Sequence, residues 1–185
     1  MGKRSIGRVA AVFAVLVAMM IALPGAAYAK TVKAKYVSFP CSPSTFYSIP
    51  RINRGTTTVK ISKRGGLVKF TAPATKKYKF TFSALKAKKK PIGAVVAFEK
   101  LNDHTLKNVK TRTKEGKRTF AIFYDASFAK QRKGEYFTST DNAKYTYLSK
   151  RVCSIKLKKG EVVYLSGAIT GQSALQAGTF KVKIW

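Results

Sequence analysis

The chain has 185 residues, and 37 lysines and arginines against seven aspartates and glutamates give it a formal net charge of +30. Small domains stay soluble with a net charge of roughly 2–8, so solubility does not require this excess of positive charge, which repels itself in a compact fold. Because the chain contains one histidine, chemistry that depends on several histidines is excluded. The charge favours a polyanionic partner or an anionic surface, and adaptation to an unusual external pH or salt concentration is the alternative.

The first 29 residues have the three parts of a secretory signal peptide. Lys3, Arg4 and Arg8 form a positive region, the apolar run Val9–Leu23 follows, and Ala27-Tyr28-Ala29 is a small-x-small cleavage site. As a helix the apolar run spans only about 23 Å, less than the ~30 Å hydrocarbon core of a bilayer. The pattern therefore predicts a cleaved signal peptide helix and an exported product that keeps no transmembrane segment.

The mature chain, residues 30–185, is long enough for one domain with a substantial core. It keeps 34 basic and all seven acidic residues, a net charge of +27. Its first part, residues 30–65, contains Pro40, Pro43 and Pro50, and proline at this density is confined to edge strands and covering loops. We expect this part to be an irregular segment that covers the domain.

The clearest strand signal lies between Gly66 and Ser83. Two runs there alternate apolar side chains with lysine or threonine, and Pro73–Lys76 separates them. Because strand side chains point to opposite faces in turn, each run has one apolar and one cationic face. Proline cannot donate a ladder hydrogen bond, so the separating residues are predicted to be the loop of a hairpin. The β-branched run Thr56–Ser62 is expected to be a short strand that leads into this hairpin.

Further strands follow, separated by turns and by basic loops at Lys86–Lys90 and Lys130–Gly134. Apolar strand faces need a second layer, and no stretch of helical period is evident after the signal peptide. We therefore predict an all-β fold, an antiparallel β-sandwich or jelly roll of about eight to ten strands. The later predicted strands are Ile92–Phe98, Val109–Thr113, Phe120–Tyr124, Tyr136–Thr140, Cys153–Leu157, Val162–Leu165 and Thr179–Trp185.

Three segments resemble the bacterial pre-peptidase C-terminal domain, a jelly-roll β-sandwich of secreted proteins. Val68–Phe82 is similar to the early hairpin of that family. Ile155–Ser166 has a similar strand–Lys-x-Gly-Glu–strand hairpin, and Ala177–Ile184 is similar to the closing strand. Family members often carry an aspartate-rich strand or loop, sometimes associated with calcium, whereas only Glu99 and Asp103 follow the corresponding strand here. The resemblance implies the fold, and neither a calcium site nor a tethering role is carried over.

The two cysteines, Cys41 and Cys153, both lie in the mature chain, where export permits a disulfide. Cys153 has the same strand parity as Ile155 and Leu157, so we expect it to face inward. We predict a Cys41–Cys153 disulfide that ties the N-terminal segment to the sandwich and contributes roughly 4–5 kcal/mol. Two separately buried thiols are the alternative.

Catalytic machinery is not evident. His104 lies in a turn between Asp103 and Thr105 and is expected to be an exposed loop residue. The seven acids are scattered, mostly close to lysine or arginine, and look like ion-pair partners, although two of them meeting in the fold could still form a glycosidase pair. Metal-ligand spacings are absent from the sequence. We predict no catalytic residues, no cofactor and no metal site, and a hydrolase is the least favoured hypothesis.

Lysines at outward strand positions are the candidate ligand-binding residues. If their strands share a sheet, their ammonium groups form a flat cationic face, which suits diffuse recognition of polyanions. Binding would then be largely counterion release and would weaken with salt. Trp185, the aromatic residue in this set, either stacks on a sugar ring or a base or packs on neighbouring lysine stems. The candidate residues are Lys69, Lys77, Lys79, Lys181, Lys183 and the aromatic Trp185.

The sequence thus favours a secreted, non-catalytic binding domain that is retained electrostatically at the cell wall or on a host polyanion. Candidate ligands are wall teichoic acid, anionic lipid headgroups, sulfated or sialylated glycans, and extracellular nucleic acid. The alternative is a structural or protein-interaction subunit of the envelope whose proline-rich start pairs with another copy's edge strand. A membrane-active effector would need an amphipathic insertion segment, which the mature sequence lacks. The oligomeric state is left open.

Overall fold

A computed structural model describes residues 30–39, 41–114, 116–125, 136–138, 144–146 and 150–185. The predicted signal peptide and the predicted basic loop Lys130–Gly134 lie outside these residues. One short helix, α1, spans Pro43–Tyr47, and no helix among the described residues has the length and apolarity to cross a membrane. The strands are β1 Lys30–Lys33, β2 Arg51–Ile52, β3 Gly55–Ile61, β4 Gly66–Thr71, β5 Lys76–Ala87, β6 Gly93–Asn102, β7 Thr105–Asn108, β8 Thr111–Thr113, β9 Gly116–Arg118, β10 Phe120–Asp125, β11 Tyr136–Thr138, β12 Lys144–Thr146, β13 Lys150–Leu157, β14 Val162–Thr170 and β15 Gly178–Ile184.

Most of the strands form two sheets that pack face to face. The seven-stranded sheet has the order β1-β3-β15-β5-β13-β8-β9, and the six-stranded sheet has the order β10-β6-β14-β4-β2 with β7 paired to β6. Among the described residues, β11 and β12 pair with each other in a separate two-stranded sheet. The predicted all-β, sandwich-like fold is confirmed. It has more strands than predicted because short pieces such as β2, β7 and β9 carry no clear alternation.

Both sheets are mixed rather than antiparallel. Strand β1 runs parallel to β3, and β2 runs parallel to β4. Both parallel pairs lie at a sheet edge. There, an N-terminal strand (β1 or β2) pairs with a strand (β3 or β4) whose other neighbour is antiparallel. The predicted antiparallel arrangement therefore holds for every strand pair in the two sheets except these two parallel pairs, including the edge pairs β10–β6 and β8–β9.

Interlocked aromatic rings fill the core between the sheets. Phe70 of the six-stranded sheet lies with its ring centroid 5.0 Å from that of Tyr78 and 5.6 Å from that of Phe80 in the other sheet. Phe98 lies 5.3 Å from Phe80, also edge to face. All four side chains are buried, and aromatic pairs in this geometry add to the free energy gained from area burial alone.

The predicted hairpin across Pro73–Lys76 is wrong. Strand β4 pairs in the six-stranded sheet and β5 pairs in the seven-stranded sheet, so the exposed connection passes from one sheet to the other. The apolar faces of the two strands therefore oppose each other, and Phe70 meets Tyr78 across the interior. The β13–β14 connection, also read as a hairpin from the sequence, crosses between the sheets in the same way.

The proline-rich segment covers the outer face of the six-stranded sheet. Residues 34–50 join β1 to β2 and contain α1, which carries the buried Phe46. Phe46 and the buried Ile49 pack in one apolar cluster with Leu67 and Tyr164, which point outward from the sheet. Residues 30–65 were predicted to cover the domain as an irregular segment. Only the middle of this segment covers a sheet, and its two ends form strands of the sandwich.

The predicted disulfide between Cys41 and Cys153 is not formed. Cys153 is fully buried in the core between the sheets, as its strand parity indicated. Cys41 is partly exposed and packs beside the cluster on the outer face of the six-stranded sheet. Because that sheet lies between the two side chains, their sulfurs cannot approach to bonding distance.

Candidate polyanion-binding face

The candidate site is the outer face of the seven-stranded sheet, which we call the lysine face. Core residues such as Phe80, Phe82 and Val182 point inward, so the residues that alternate with them point outward. Every cation at these outward positions is exposed. They are Lys33, Lys60, Lys77, Lys79, Lys86, Arg112, Lys117, Lys150, Lys156, Lys181 and Lys183.

Two adjacent central strands carry five of the six predicted site residues. Strand β5 contributes Lys77 and Lys79, and β15 contributes Lys181, Lys183 and, just after its end, Trp185. The backbone N–H of Trp185 donates to the carbonyl of Lys79 at 3.2 Å, and the reverse bond is 3.1 Å, so the pairing extends to the last residue. The structure thus brings these five side chains to one surface.

Lys69 does not belong to this surface. It lies on β4 in the six-stranded sheet, and its Nζ donates to the backbone carbonyls of Phe46 and Tyr47, each at 3.0 Å. These carbonyls belong to the last turn of α1, where carbonyls lack partners inside the helix, and that of Phe46 also accepts the backbone N–H of Ile49 at 3.4 Å. Burial, and secondarily the charge of Arg51, lowers the pKa of Lys69. Lys69 therefore fastens the covering segment to the six-stranded sheet and lies apart from the other five predicted site residues.

The structure adds cations that the sequence analysis missed. Lys60 and Lys156 alternate with core residues of β3 and β13, a signal that the sequence contains. Lys86 was expected in a loop, but β5 continues to Ala87. The backbone of Ala84 has a φ of +51°, and the β5–β15 register shifts beside it, which leaves Lys86 on the outer face opposite Thr179.

The lysine face carries no carboxylate at any outward strand position that the structure describes. Two like-charged pairs lie directly opposite each other across neighbouring strands, Lys77 with Lys156 and Lys33 with Lys60. Direct cross-strand contact of like charges is destabilising. Arg112 and Lys117 form a third such pair. The face therefore has an electrostatic cost that bound anions would relieve.

Hydroxyl side chains occupy most other outward positions of this sheet. Thr81, at the centre, lies opposite Lys183 on one side and Val152 on the other. It is only 3% exposed, because the longer side chains around it cover it. Its Oγ1 is buried and makes no hydrogen bond with any residue that the structure describes. The other outward hydroxyl residues are Thr31, Thr56, Thr58, Ser83, Ser154 and Thr179.

Trp185 packs on a lysine of its own strand. It is 41% exposed, and the Nζ of Lys183 lies 4.3 Å from the centroid of its ring. A cation over a tryptophan face is attracted by the ring quadrupole. Of the two roles predicted for Trp185, the structure shows the lysine contact.

The described acids lie in the six-stranded sheet or in connecting loops. Glu161 pairs with the Nζ of Lys100 and accepts the backbone N–H of Lys158 at 2.8 Å. These hydrogen bonds, that from Lys100 first, lower its pKa. Glu99 is half-buried beside Tyr164 on the neighbouring strand, and burial raises its pKa. His104 is exposed, as predicted.

Within the described ranges, no group of three or more histidine, cysteine, aspartate or glutamate side chains is arranged to hold a metal ion. The side chains of Glu115, Glu135 and Asp141 lie outside these ranges. Comparison with protein-family models and with curated protein sequences found no match for this chain. The chemistry of the lysine face is therefore the basis for inferring a function.

Proposed function

We propose that this chain is an exported, non-catalytic domain that binds polyanions through the lysine face. The observation that carries the proposal is the composition of that face: eleven exposed cations and no carboxylate among its described outward strand positions. Two of the like-charged pairs, Lys77–Lys156 and Lys33–Lys60, are placed directly opposite each other. A surface needed only for solubility would mix both signs of charge, which avoids such repulsion.

Lysine dominates the face, and its ammonium group acts as a mobile point charge rather than a rigid fork. This chemistry suits ligands of high charge density, such as teichoic acid or sulfated glycans, more than planar groups read by paired hydrogen bonds. Binding would release condensed counterions, and affinity would fall steeply as salt rises. Retention at the bacterial cell wall follows if the ligand is a wall polymer.

Export and the finer fold assignment are part of the same proposal. The sequence of residues 1–29 supports cleavage after Ala29, and the sandwich is built from strands that the structure describes after this position. Chain connections that pass from one sheet to the other, as between β4 and β5 and between β13 and β14, are compatible with a jelly roll of the pre-peptidase C-terminal type.

The rival envelope subunit receives less support. It requires the proline-rich start of the mature chain to pair with the edge strand of another copy. In the structure, Val37, Phe46 and Ile49 of this segment pack on their own six-stranded sheet, and the backbones of Lys35 and Leu67 exchange two hydrogen bonds of 2.8 and 3.0 Å. This segment is thus engaged within its own chain.

The test is retention of the exported protein on purified cell wall, heparin and DNA across a salt gradient. Lys181→Glu combined with Lys183→Glu is compared with Lys107→Glu combined with Lys110→Glu, which changes the net charge equally but lies outside the lysine face. We expect the first variant to elute at much lower salt than the second. Equal shifts for both variants would contradict the proposal, and assembly that survives high salt would favour the envelope subunit.

A further inference from the structure

Six lysines of the lysine face follow one diagonal line across the sheet, which we call the lysine track. It begins at the β1 edge, where Lys33 lies directly opposite Lys60. Lys60 lies opposite Thr179 of β15, so the next outward residue of that strand is one diagonal step away. The same offset recurs between β15 and β5, where Lys183 lies opposite Thr81. In order, the track comprises Lys33, Lys60, Lys181, Lys183, Lys79 and Lys77.

After its first pair, the track has a nearly constant step between the attachment points of its charges. Neighbouring strands lie ~4.8 Å apart, and residues i and i+2 of one strand lie ~6.8 Å apart. Lys181 and Lys183 are therefore separated by about 7 Å along β15, and the diagonal step from Lys183 to Lys79 is about 8 Å. A linear ligand lying on the track would meet a cation about every 7–8 Å.

We propose that the track binds a linear phosphodiester polymer whose phosphates are bridged by three-carbon units, such as poly(glycerol phosphate). This inference rests on the proposed function. Each repeat of that polymer has six backbone bonds, and an extended chain advances about 3.5 Å per three bonds, so its charges recur about every 7 Å. Inorganic polyphosphate carries a charge at every second backbone bond, so its charges are spaced more closely than the lysines of the track. Sulfated glycans carry their charges on ring substituents rather than along the chain axis.

Single-stranded nucleic acid has phosphates at a comparable spacing, but it binds proteins largely by stacking its bases on aromatic rings. Among the described outward residues of the lysine face, Trp185 is the only aromatic one, and Lys183 already lies over its ring. Thr58, Thr81 and Ser83 lie beside the track instead. Hydroxyl groups donate to phosphate oxygens and exchange hydrogen bonds with polyol hydroxyls. The side chains around the track thus favour a polyol phosphate over nucleic acid.

Thr81 marks the middle of the track. It lies opposite Lys183 and two residues from Lys79 on the same strand, and its buried Oγ1 has no partner among the described residues. A buried hydroxyl without a hydrogen bond is costly, so structures usually provide a partner. Lysine side chains are flexible, and a phosphate held between Lys183 and Lys79 would bring an oxygen acceptor to this hydroxyl once the covering side chains move aside.

The experiment measures affinities of the exported protein at fixed salt for glycerol phosphate oligomers of two, four, six, eight and twelve units. We expect affinity to rise steeply up to about six units, which fill the track, and only slightly beyond. Oligo(dT) with the same number of phosphates should bind at least about tenfold more weakly. Heparin fragments of matched charge test whether charge density alone suffices.

Matched variants separate the track from the rest of the lysine face. Lys181→Ser combined with Lys183→Ser should weaken binding of the six-unit oligomer at least about tenfold and reduce the salt slope by about 0.7 per lost phosphate contact. Lys117→Ser combined with Lys150→Ser removes the same charge from the same sheet and should weaken binding about twofold at most. Thr81→Val preserves the side-chain shape and should weaken binding severalfold, whereas Thr31→Val at the sheet edge should not.

Several results would overturn the inference. Equal losses for the two lysine variants, affinity that keeps rising steeply beyond six units, or equal binding of oligo(dT) would each show that the track does not select the polymer. If all polyanions bind alike through the lysine face, the proposed function holds and only this inference fails. If no polyanion binds, both fail. Circular dichroism melting of each variant distinguishes lost binding from lost folding.

Discussion

The outer faces of the two sheets differ, although both are built by the same strand alternation. The outer face of the six-stranded sheet includes Leu67 and Tyr164, which are buried under Val37, Phe46 and Ile49 of the covering segment. The outer face of the seven-stranded sheet has lysine and threonine at the corresponding positions, and its lysines are exposed. Apolar residues on the first face gain free energy from a cover. Lysines lose hydration if they are covered, so the second face remains open and available to a ligand.

The two outer faces are also expected to contribute differently to stability. The covered face contributes to folding through burial, so substitutions there should lower the free energy of unfolding. The lysine face includes like charges placed opposite each other, such as Lys77 and Lys156. Its lysines should therefore be dispensable for stability, and removing some of them should increase it.

The largest expected effect is loss of the cover. Phe46→Ala removes a side chain that is 2% exposed and packs on Tyr164, with ring centroids 5.9 Å apart. A cavity of this kind should lower the free energy of unfolding by about 3–4 kcal/mol in urea denaturation. Tyr47→Ala on the same helix is the control, because Tyr47 is 83% exposed and should change stability by less than about 0.5 kcal/mol. Similar values for both variants would mean that the segment does not cover the sheet.

The next effect concerns two glutamates with opposite pKa shifts. The pKa of Glu161 is lowered from 4.5, so its ionised form favours the folded state, and its contribution is lost as pH falls through the lowered value. The pKa of Glu99 is raised from 4.5, so folding favours its protonated form, and the contribution of that form is lost as pH rises through the raised value. At pH 7, Glu161→Gln should therefore destabilise the fold, by less than about 1 kcal/mol because the pair is partly exposed. Glu99→Gln should stabilise it.

Thermal unfolding from pH 3 to pH 7 checks these signs. The destabilisation by Glu161→Gln should shrink towards the acid end, where the wild-type carboxylate is protonated, and the stabilisation by Glu99→Gln should shrink there as well. Effects of the same sign at pH 7 would contradict the different environments assigned to the two carboxyl groups.

The smallest effect is the relief of repulsion on the lysine face. Lys156→Thr removes the charge opposite Lys77 and should raise stability by a few tenths of a kcal/mol at low salt. In about 1 M salt the gain should disappear, because screening acts over a few ångströms there. Lys150→Thr is the control, since Lys150 lies opposite Ser83. A loss of stability for Lys156→Thr at low salt would show that the cross-strand repulsion is not significant.

Much of the fold follows from alternation alone. The inward and outward positions of Tyr78–Phe82, Cys153–Leu157 and Phe180–Ile184 are as the sequence indicates, because polar or cationic residues alternate with apolar residues there. Alternation cannot show which sheet a strand joins. Two strands joined by a short connection can pair in one sheet as a hairpin, with their apolar faces side by side. They can also join different sheets, with their apolar faces opposed across the core, and β4 and β5 have this second arrangement.

That ambiguity accounts for the wrong predictions. Lys69 was grouped with Lys79 because both alternate with core residues, yet they lie on opposite sides of the sandwich. Cys41 and Cys153 were paired because the predicted export permits a disulfide, yet a sheet separates them. Lys86 was placed in a loop because nothing in its local sequence shows that a positive φ at Ala84 keeps the strand in its sheet.

Amine labelling with and without a polyanion tests the central claim most directly. The protein is treated with an acetylating reagent at low salt, alone and with heparin, and modification is quantified for each lysine by mass spectrometry. The account predicts protection of Lys79, Lys181 and Lys183, while Lys107 and Lys110, which lie outside the lysine face, are labelled as before. Protection spread evenly over all five lysines, or confined to Lys107 and Lys110, would contradict the assignment of polyanion binding to the lysine face.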